Sequence, residues 1–259
     1  MNGISIDRQK LTRLLKMLRL PGFRACYQEL AQEAQANSLS YEEYLLSLLE
    51  RECDERRSRR VERFLRESRL PLSKNLESFD MKRLPPKVNL RVKSLLDGTF
   101  LDRKENVLAF GNPGSGKSHL LCAIAQELIH KGRRIYSTAC SLLVQELLSG
   151  KKELKLAKVL KRLSRYDAVL IDDIGYVEQS REEMEVLFTF LAERYERGSV
   201  MLTSNLPFSK WELIFKDPMT TAAAIDRLIH HCVILELNLP SYRLEQAQKN
   251  QIEVKEAMN

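Results

Sequence analysis

The segment Gly111-Asn112-Pro113-Gly114-Ser115-Gly116-Lys117-Ser118 fits the spacing G-x-x-x-x-G-K-[ST] in full. Glycine-rich turns of this kind let successive backbone N–H groups face phosphate oxygens, and the following helix adds the positive end of its dipole. Residues Gly111 through His119 are therefore the expected ATP-binding loop. Lys117 is expected to reach the β- and γ-phosphates, and the Ser118 hydroxyl to ligate Mg²⁺. Further on, the apolar run Ala168–Ile171 ends in Asp172 and Asp173. Asp172 is the expected partner of Ser118 about Mg²⁺, and Asp173 the expected group to polarise an attacking water. Thr203-Ser204-Asn205 closes another apolar run, putting a polar amide where α/β sheets bind ligands. No Asn-Lys-x-Asp guanine-reading signature occurs, which favours adenine.

These residues need strands to carry them. From about residue 105 short apolar runs alternate with amphipathic stretches, and strands are expected at Val107–Phe110, Arg134–Thr138, Ala168–Ile171, Val200–Thr203 and Cys232–Glu236. Helical patterns lie between, the clearest being Met184, Leu187, Phe188, Leu191 and Tyr195, ended by Gly198. Strands alternating with helices mean βαβ units and a parallel five-stranded sheet between helices, an α/β fold.

The first 70 residues read as helix instead. Leu11, Leu14, Leu15 and Leu18 share one face of a helix stopped by Pro21-Gly22. Ser40-Tyr41-Glu42-Glu43 is a capping box opening a helix with Tyr44 and Leu48 toward a core, and a basic helix follows until Leu70-Pro71. The expected organisation is a small all-helical N-terminal domain over 1–70, a linker and entry over 71–104, and the α/β domain over 105–259.

Composition narrows the class. With 44% hydrophobic and 30% charged residues, the 259-residue chain can build a core. Its longest apolar run, Leu120–Ala125, is far short of the ~20 residues of a membrane span, and no signal-peptide pattern opens it. The five cysteines form no CxxC pair, so a reducing cytoplasmic setting is expected. His230-His231 reads as a polar helix end with no third metal ligand nearby.

Charge is localised. Residues 56–74 and 151–165 each carry a net +6, leaving −5 on the remainder of a +7 chain. Arg56, Arg59, Arg60, Arg63 and Arg66 fall on one helical face. Lys151, Lys155, Lys158, Arg162 and Arg165 fall on another, with Leu156, Val159, Leu160 and Leu163 as its apolar stripe. Two cationic faces without interleaved aromatics predict phosphate contacts to duplex DNA with little direct reading of bases.

In order along the chain, GNPGSGKSHL, VLIDDIG, MLTSN, IDRLIHH and LPSYR resemble the AAA+ ATPases of the initiator and helicase-loader branch. LRLPGFRACYQELAQEA, ERRSRRVERFLRESRLP and LESFD extend the resemblance to the IstB-type transposition helper ATPases over nearly the whole chain. The resemblance implies that Asn205 positions the attacking water and that Arg227 is an arginine finger reaching a neighbouring subunit's nucleotide. It implies that Arg243 is a second sensor contacting phosphate within its own subunit. The chain departs from the pattern in two places. Asp173 stands where many AAA+ proteins have Glu, which implies slow hydrolysis. Only about 23 residues follow the last expected strand, so the helical lid is reduced or absent.

The resulting expectation is an Mg²⁺-dependent ATPase that assembles as a homo-oligomeric ring, spiral or filament on target DNA and recruits or stimulates a transposase. The alternative is a replicative helicase loader with the same catalytic residues. A small-molecule phosphotransferase finds no substrate-binding insertion to support it.

Overall fold

The computed structural model describes residues 7–174, 180–211 and 218–245. It divides into two compact units, Met1–Arg63 and Phe64–Asn259.

The first unit is helical. Helix α1 (Arg8–Met17) is capped by Asp7, whose carboxylate accepts from Lys10 N. Of its expected apolar face Leu15 is buried, while Leu14 and Leu18 are largely exposed. Pro21-Gly22 does more than end that helix: Pro21 is the first residue of α2 (Pro21–Ala36), a position where its missing N–H costs nothing. The Glu52 carboxylate serves as the cap for α2. Its Oε2 accepts from Gly22 N at 2.7 Å and Phe23 N at 3.3 Å.

Helix α3 (Tyr41–Ser68) is one continuous helix where the sequence suggested two. The Ser40–Glu43 capping box opens it, with Glu43 Oε2 accepting from Ser40 N at 2.7 Å and Ser40 Oγ from Glu43 N at 3.2 Å. No glycine or proline falls between 41 and 68 to interrupt the backbone hydrogen bonds.

In the second unit the stretch 71–104, expected as a linker and entry to the α/β domain, carries helices. It contains α4 (Pro86–Leu96) and the short α5 (Thr99–Asp102), with Val88, Val92, Leu95, Phe100 and Leu101 buried. The α/β pattern follows as β1 (Asn106–Gly111), α6 (Lys117–His130), β2 (Ile135–Ala139), α7 (Cys140–Lys152) and α8 (Leu156–Leu163). Then come β3 (Ala168–Ile174), α9 (Arg181–Arg194), β4 (Ser199–Ser204), α10 (Pro218–Ile229) and β5 (Cys232–Leu237). Every strand lies where the apolar runs predicted one.

The sheet is wholly parallel, in the order β2-β3-β4-β1-β5. Its central strands are covered on both faces: Val107, Leu108, Val169, Leu170, Ile171, Met201 and Leu202 are all buried, as continuous apolar runs require. This order sets the carboxyl ends of β3, β4 and β1 side by side, which is where such sheets place their ligands. Gly111 ends β1 at φ +150°, and a Cβ there would collide with the Leu237 carbonyl of β5.

The cationic stretch 151–165 is not one helix. The chain turns at Leu154, with φ +58°, between the end of α7 and the start of α8. Gly150 lets Leu156 and Val159 pack close against α7. The apolar stripe of α8 does face the core, with Leu163 buried and Leu156, Val159 and Leu160 packed against it.

The few residues described after β5 are 238–245, with a helical turn at 242–245. The remaining tail, on which the expectation of a reduced lid also falls, lies outside the described residues. No described helix is long and apolar enough to cross a membrane.

Candidate nucleotide site

Three strand ends and two outlying segments build one cavity of about 330 Å³. Its walls include Pro113–His119, Asp172, Asp173, Asn205 and Arg243, with Ser78 and Phe79 from the segment before the sheet. Helix α6 begins at Lys117, and no side chain caps its N-terminus. Its first amides are therefore directed at the cavity unclaimed by a cap. Gly114, at φ +78°, lies so close to Ser241 that a Cβ would overlap the serine hydroxyl. The Ser115 hydroxyl is buried with no hydrogen-bond partner, an orphan polar atom inside a loop built for acceptors.

Among the described residues Lys117 is held in place without a carboxylate in direct contact. Its Nζ donates to Gly111 O at 2.8 Å, Asn112 O at 2.9 Å and Asn205 Oδ1 at 2.6 Å. Burial pushes its pKa down, against the pull of Asp173 and Asp172. A buried ammonium whose direct acceptors are three neutral oxygens is placed for the counter-charge that phosphate oxygens would supply.

Asp172 is tied down by two hydroxyls. Ser118 Oγ and Thr203 Oγ1 each donate to its Oδ1 at 2.6 Å. The pair Ser118 and Asp172 is a set of hard oxygen donors of the kind Mg²⁺ takes, so the residues fit that ion. Asp173 sits in the irregularity where β3 slips against β4, at φ +68°. That conformation is uncommon for a residue with a Cβ. The Thr203 hydroxyl holds it by accepting from Asp173 N at 2.8 Å, and Asn205 Nδ2 donates to Asp173 Oδ1 at 3.1 Å. Burial and the Asp172 carboxylate push the Asp173 pKa up, while Lys117 and Arg243 oppose them.

The structure thus gathers Lys117, Ser118, Asp172, Asp173, Asn205 and Arg243 around one space. Three contributions were not singled out in the sequence. Thr203 braces both aspartates. Segment 75–79 braces His119, whose Nε2 lies 3.1 Å from both Ser78 Oγ and Asn75 O, with the Phe79 ring edge-on at 5.2 Å. Arg83 holds the segment carrying Arg243: it donates to Pro240 O at 3.2 Å and Glu245 Oε1 at 2.9 Å, and lies over the Tyr242 ring at 5.0 Å. The Tyr242 N–H in turn donates to Gly114 O at 3.0 Å. LESFD, at 76–80, was the available signal for the second of these.

Arg227 stands apart from this cavity. It lies on α10 with its guanidinium 4.6 Å from the Phe188 ring, and it lines a different cavity with Leu191 and His231. Of the arginines on α3, Arg56 and Arg59 pair with Glu52 and Glu55, one turn back, at 2.7 and 2.8 Å. Arg60 and Arg63 are exposed. Lys151 is on α7 and pairs with Glu185, and Lys155 pairs with Glu153 in the turn. Lys158 is exposed on α8. Arg162 departs from the expected outer face: it is half-buried, pairs with Glu146 at 2.6 Å and lies 5.2 Å from the Tyr136 ring. The turn at Leu154 breaks the helical register that had put Lys151 and Arg162 on one face.

A five-stranded parallel sheet in this order, with a phosphate loop after its first strand and paired aspartates near the end of its third, defines a P-loop ATPase of the AAA+ class. Solved structures share the fold. The DnaC helicase loader aligns at TM-score 0.54 and 17% identity, over 63% of this chain and 96% of that one. AMPPCP-bound DnaA from Aquifex aeolicus aligns at TM-score 0.55 and 19% identity, over 71% of this chain and 56% of that one. Sequence relatives extend further. An insertion-sequence ATP-binding protein of Sinorhizobium fredii is 39% identical over 95% of this chain and 83% of its own length. The ATP-binding protein of insertion sequence IS21 from Pseudomonas aeruginosa is 35% identical over 91% of this chain and 89% of its own. The family model described as IstB-like ATP binding protein matches residues 13–250, and the chain belongs to that family.

Proposed function

We propose that this ATPase serves transposition: it assembles on duplex DNA with ATP bound and recruits or stimulates a transposase. The observation that carries the reading is the span of the family match, 13–250, which takes in the helical N-terminal unit as well as the ATPase core. The loader-type structures are similar in fold alone, so the alternative of a helicase loader has no comparable support.

In this reading the amides of residues 114–118 and the Lys117 ammonium hold the β- and γ-phosphates. Ser118 and Asp172 would hold Mg²⁺, which would supply positive charge to offset that of the phosphates. Asp173, in its ionised form, accepts a proton from water that Asn205 orients. Arg243 stabilises phosphate charge from within the subunit, and Arg227 does so from the neighbour. A finger supplied across an interface makes hydrolysis a property of the assembly, so ATP favours oligomers and turnover releases them. Heterologous contacts of this kind build rings, spirals or filaments. Exposed cations such as Arg60, Arg63, Lys151, Lys155 and Lys158 meet DNA phosphates in this scheme.

The test measures ATP turnover with and without duplex DNA, asks whether a neighbouring gene encodes a transposase, and measures strand transfer by that transposase with and without this protein. Stimulation of both is expected. DNA-stimulated turnover without any effect on the transposase would leave an ATPase with a different client and overturn the transposition reading.

A further inference from the structure

The sequence offered His230-His231 with no third ligand in reach, and the fold supplies one. Glu196 follows α9, and the two histidines join α10 to β5. In the fold, a ligand atom from each of the three lies within 4.8 Å of the others. All three side chains are exposed to solvent. Glu196 is presented from a left-handed turn, φ +57°.

We propose that Glu196, His230 and His231 form a binding site for one divalent late first-row transition ion, of which Zn²⁺ is the representative. Two imidazoles and one carboxylate are ligands that Zn²⁺, Co²⁺ and Ni²⁺ accept, with the remaining positions left to water. A hard ion such as Mg²⁺ prefers oxygen alone and is the poorer match. The imidazoles are already close, with ring centroids 4.1 Å apart. His230 also has the kind of outer partner that orients metal-binding histidines: the Tyr195 hydroxyl lies 2.9 Å from its Nδ1. In the tautomer whose Nδ1–H donates to that hydroxyl, Nε2 carries the lone pair for a metal.

The site is independent of the nucleotide cavity. It borders the cavity of about 220 Å³ that Arg227, Glu196 and His231 line together. A bound ion would tie the turn after α9 to the turn after α10, one helical turn from Arg227.

The experiment titrates chelator-stripped full-length protein with Co²⁺, followed by its visible d–d absorption, and with Zn²⁺ in competition with a chromophoric chelator. The expected result is one tight equivalent in the wild type and in Cys53→Ser, which removes the exposed thiol. His230→Ala and His231→Ala should each weaken binding more than about tenfold, and Tyr195→Phe by about tenfold through the outer partner. Because the ligands are exposed, folding is checked by circular dichroism, and His231→Gln repeats the test with a side chain of similar size. Failure of the wild type to bind Zn²⁺ or Co²⁺, or equal binding in the histidine variants, would overturn the proposal. Neither outcome depends on ATP turnover.

Discussion

Lys117 Nζ donates to Asn205 Oδ1 at 2.6 Å, across 88 residues of chain. The same amide donates from Nδ2 to Asp173, so one side chain links the phosphate lysine to the carboxylate assigned to water. Removing it should disturb the reacting geometry more than the grip on nucleotide. Asn205→Ala is expected to lower kcat by at least about a hundredfold, the scale of a lost positioned transition-state group. The affinity for ATP should change only severalfold. An equal loss in both, read from steady-state turnover and nucleotide titration, would make Asn205 a binding group instead.

Arg83 is a positioning residue for Arg243. Its hold on Pro240, Tyr242 and Glu245 keeps the segment after β5 against Gly114. Arg83→Ala should reproduce much of the Arg243→Ala defect, and the double variant should be little worse than either alone. Additive losses in a double-mutant cycle of kcat/KM would separate the two residues.

Much of this architecture was legible in the sequence because its signals are local. The apolar runs marked all five strands, and the fixed spacing around Lys117 marked the loop after β1. What stayed hidden depends on contacts between distant parts of the chain. Ser78 meets His119, Thr203 meets Asp172, and Glu196 nears His230 only once the sheet is assembled. Arg162 misled for a related reason: Glu146 of α7 and the Tyr136 ring of β2 draw it inward, contacts that spacing along α8 does not reveal.

The DNA contacts divide accordingly. Lys155→Ala and Lys158→Ala together should lower the slope of log affinity against log salt by about two units, on unrelated duplexes alike. Arg162→Ala should leave that slope unchanged and reduce thermal stability instead, because it leaves Glu146 without its partner. Unchanged slopes for the two lysines would return α8 to an ordinary solvated face.

Arg194 holds the β3–β4 side of the core. Its buried guanidinium donates to the carbonyls of Leu163, Tyr166, Asp167 and Ser199 at 2.8 to 3.2 Å. Burial pushes its pKa down to about 10, still charged at neutral pH. Arg194→Ala leaves Leu163 O and Asp167 O with the amides of Tyr166 and Ser199 but strips the guanidinium from Tyr166 O and Ser199 O, at about 1–3 kcal/mol for each acceptor that water cannot reach, a loss of roughly 2 kcal/mol or more. Urea denaturation checks this, and a change below about 1 kcal/mol would contradict it.

At the start of α3, hydrogen bonds from Ser40 hold the Glu43 carboxyl below the usual glutamate range. A carboxylate with a depressed folded pKa contributes stability above its unfolded pKa, near 4.5, and loses it as pH falls through the lower folded value. Ser40→Ala removes the hydroxyl but keeps the backbone N–H that lowers the pKa most, so the Glu43 titration, followed by NMR, should move only part of the way up toward that unfolded value. An unmoved titration would show that the Ser40 hydroxyl contributes nothing and that the backbone N–H alone sets the shift.

The central claim is that catalysis is shared between subunits, with Lys117 and Arg227 acting on one nucleotide from two chains. The most direct measurement mixes Lys117→Ala with Arg227→Ala protein and follows ATP hydrolysis on duplex DNA. Each variant alone should be nearly inactive. In mixed assemblies some interfaces pair an intact Lys117 loop with an intact Arg227, so turnover should return and peak at an intermediate ratio. No recovery at any ratio, with co-assembly demonstrated, would contradict the account.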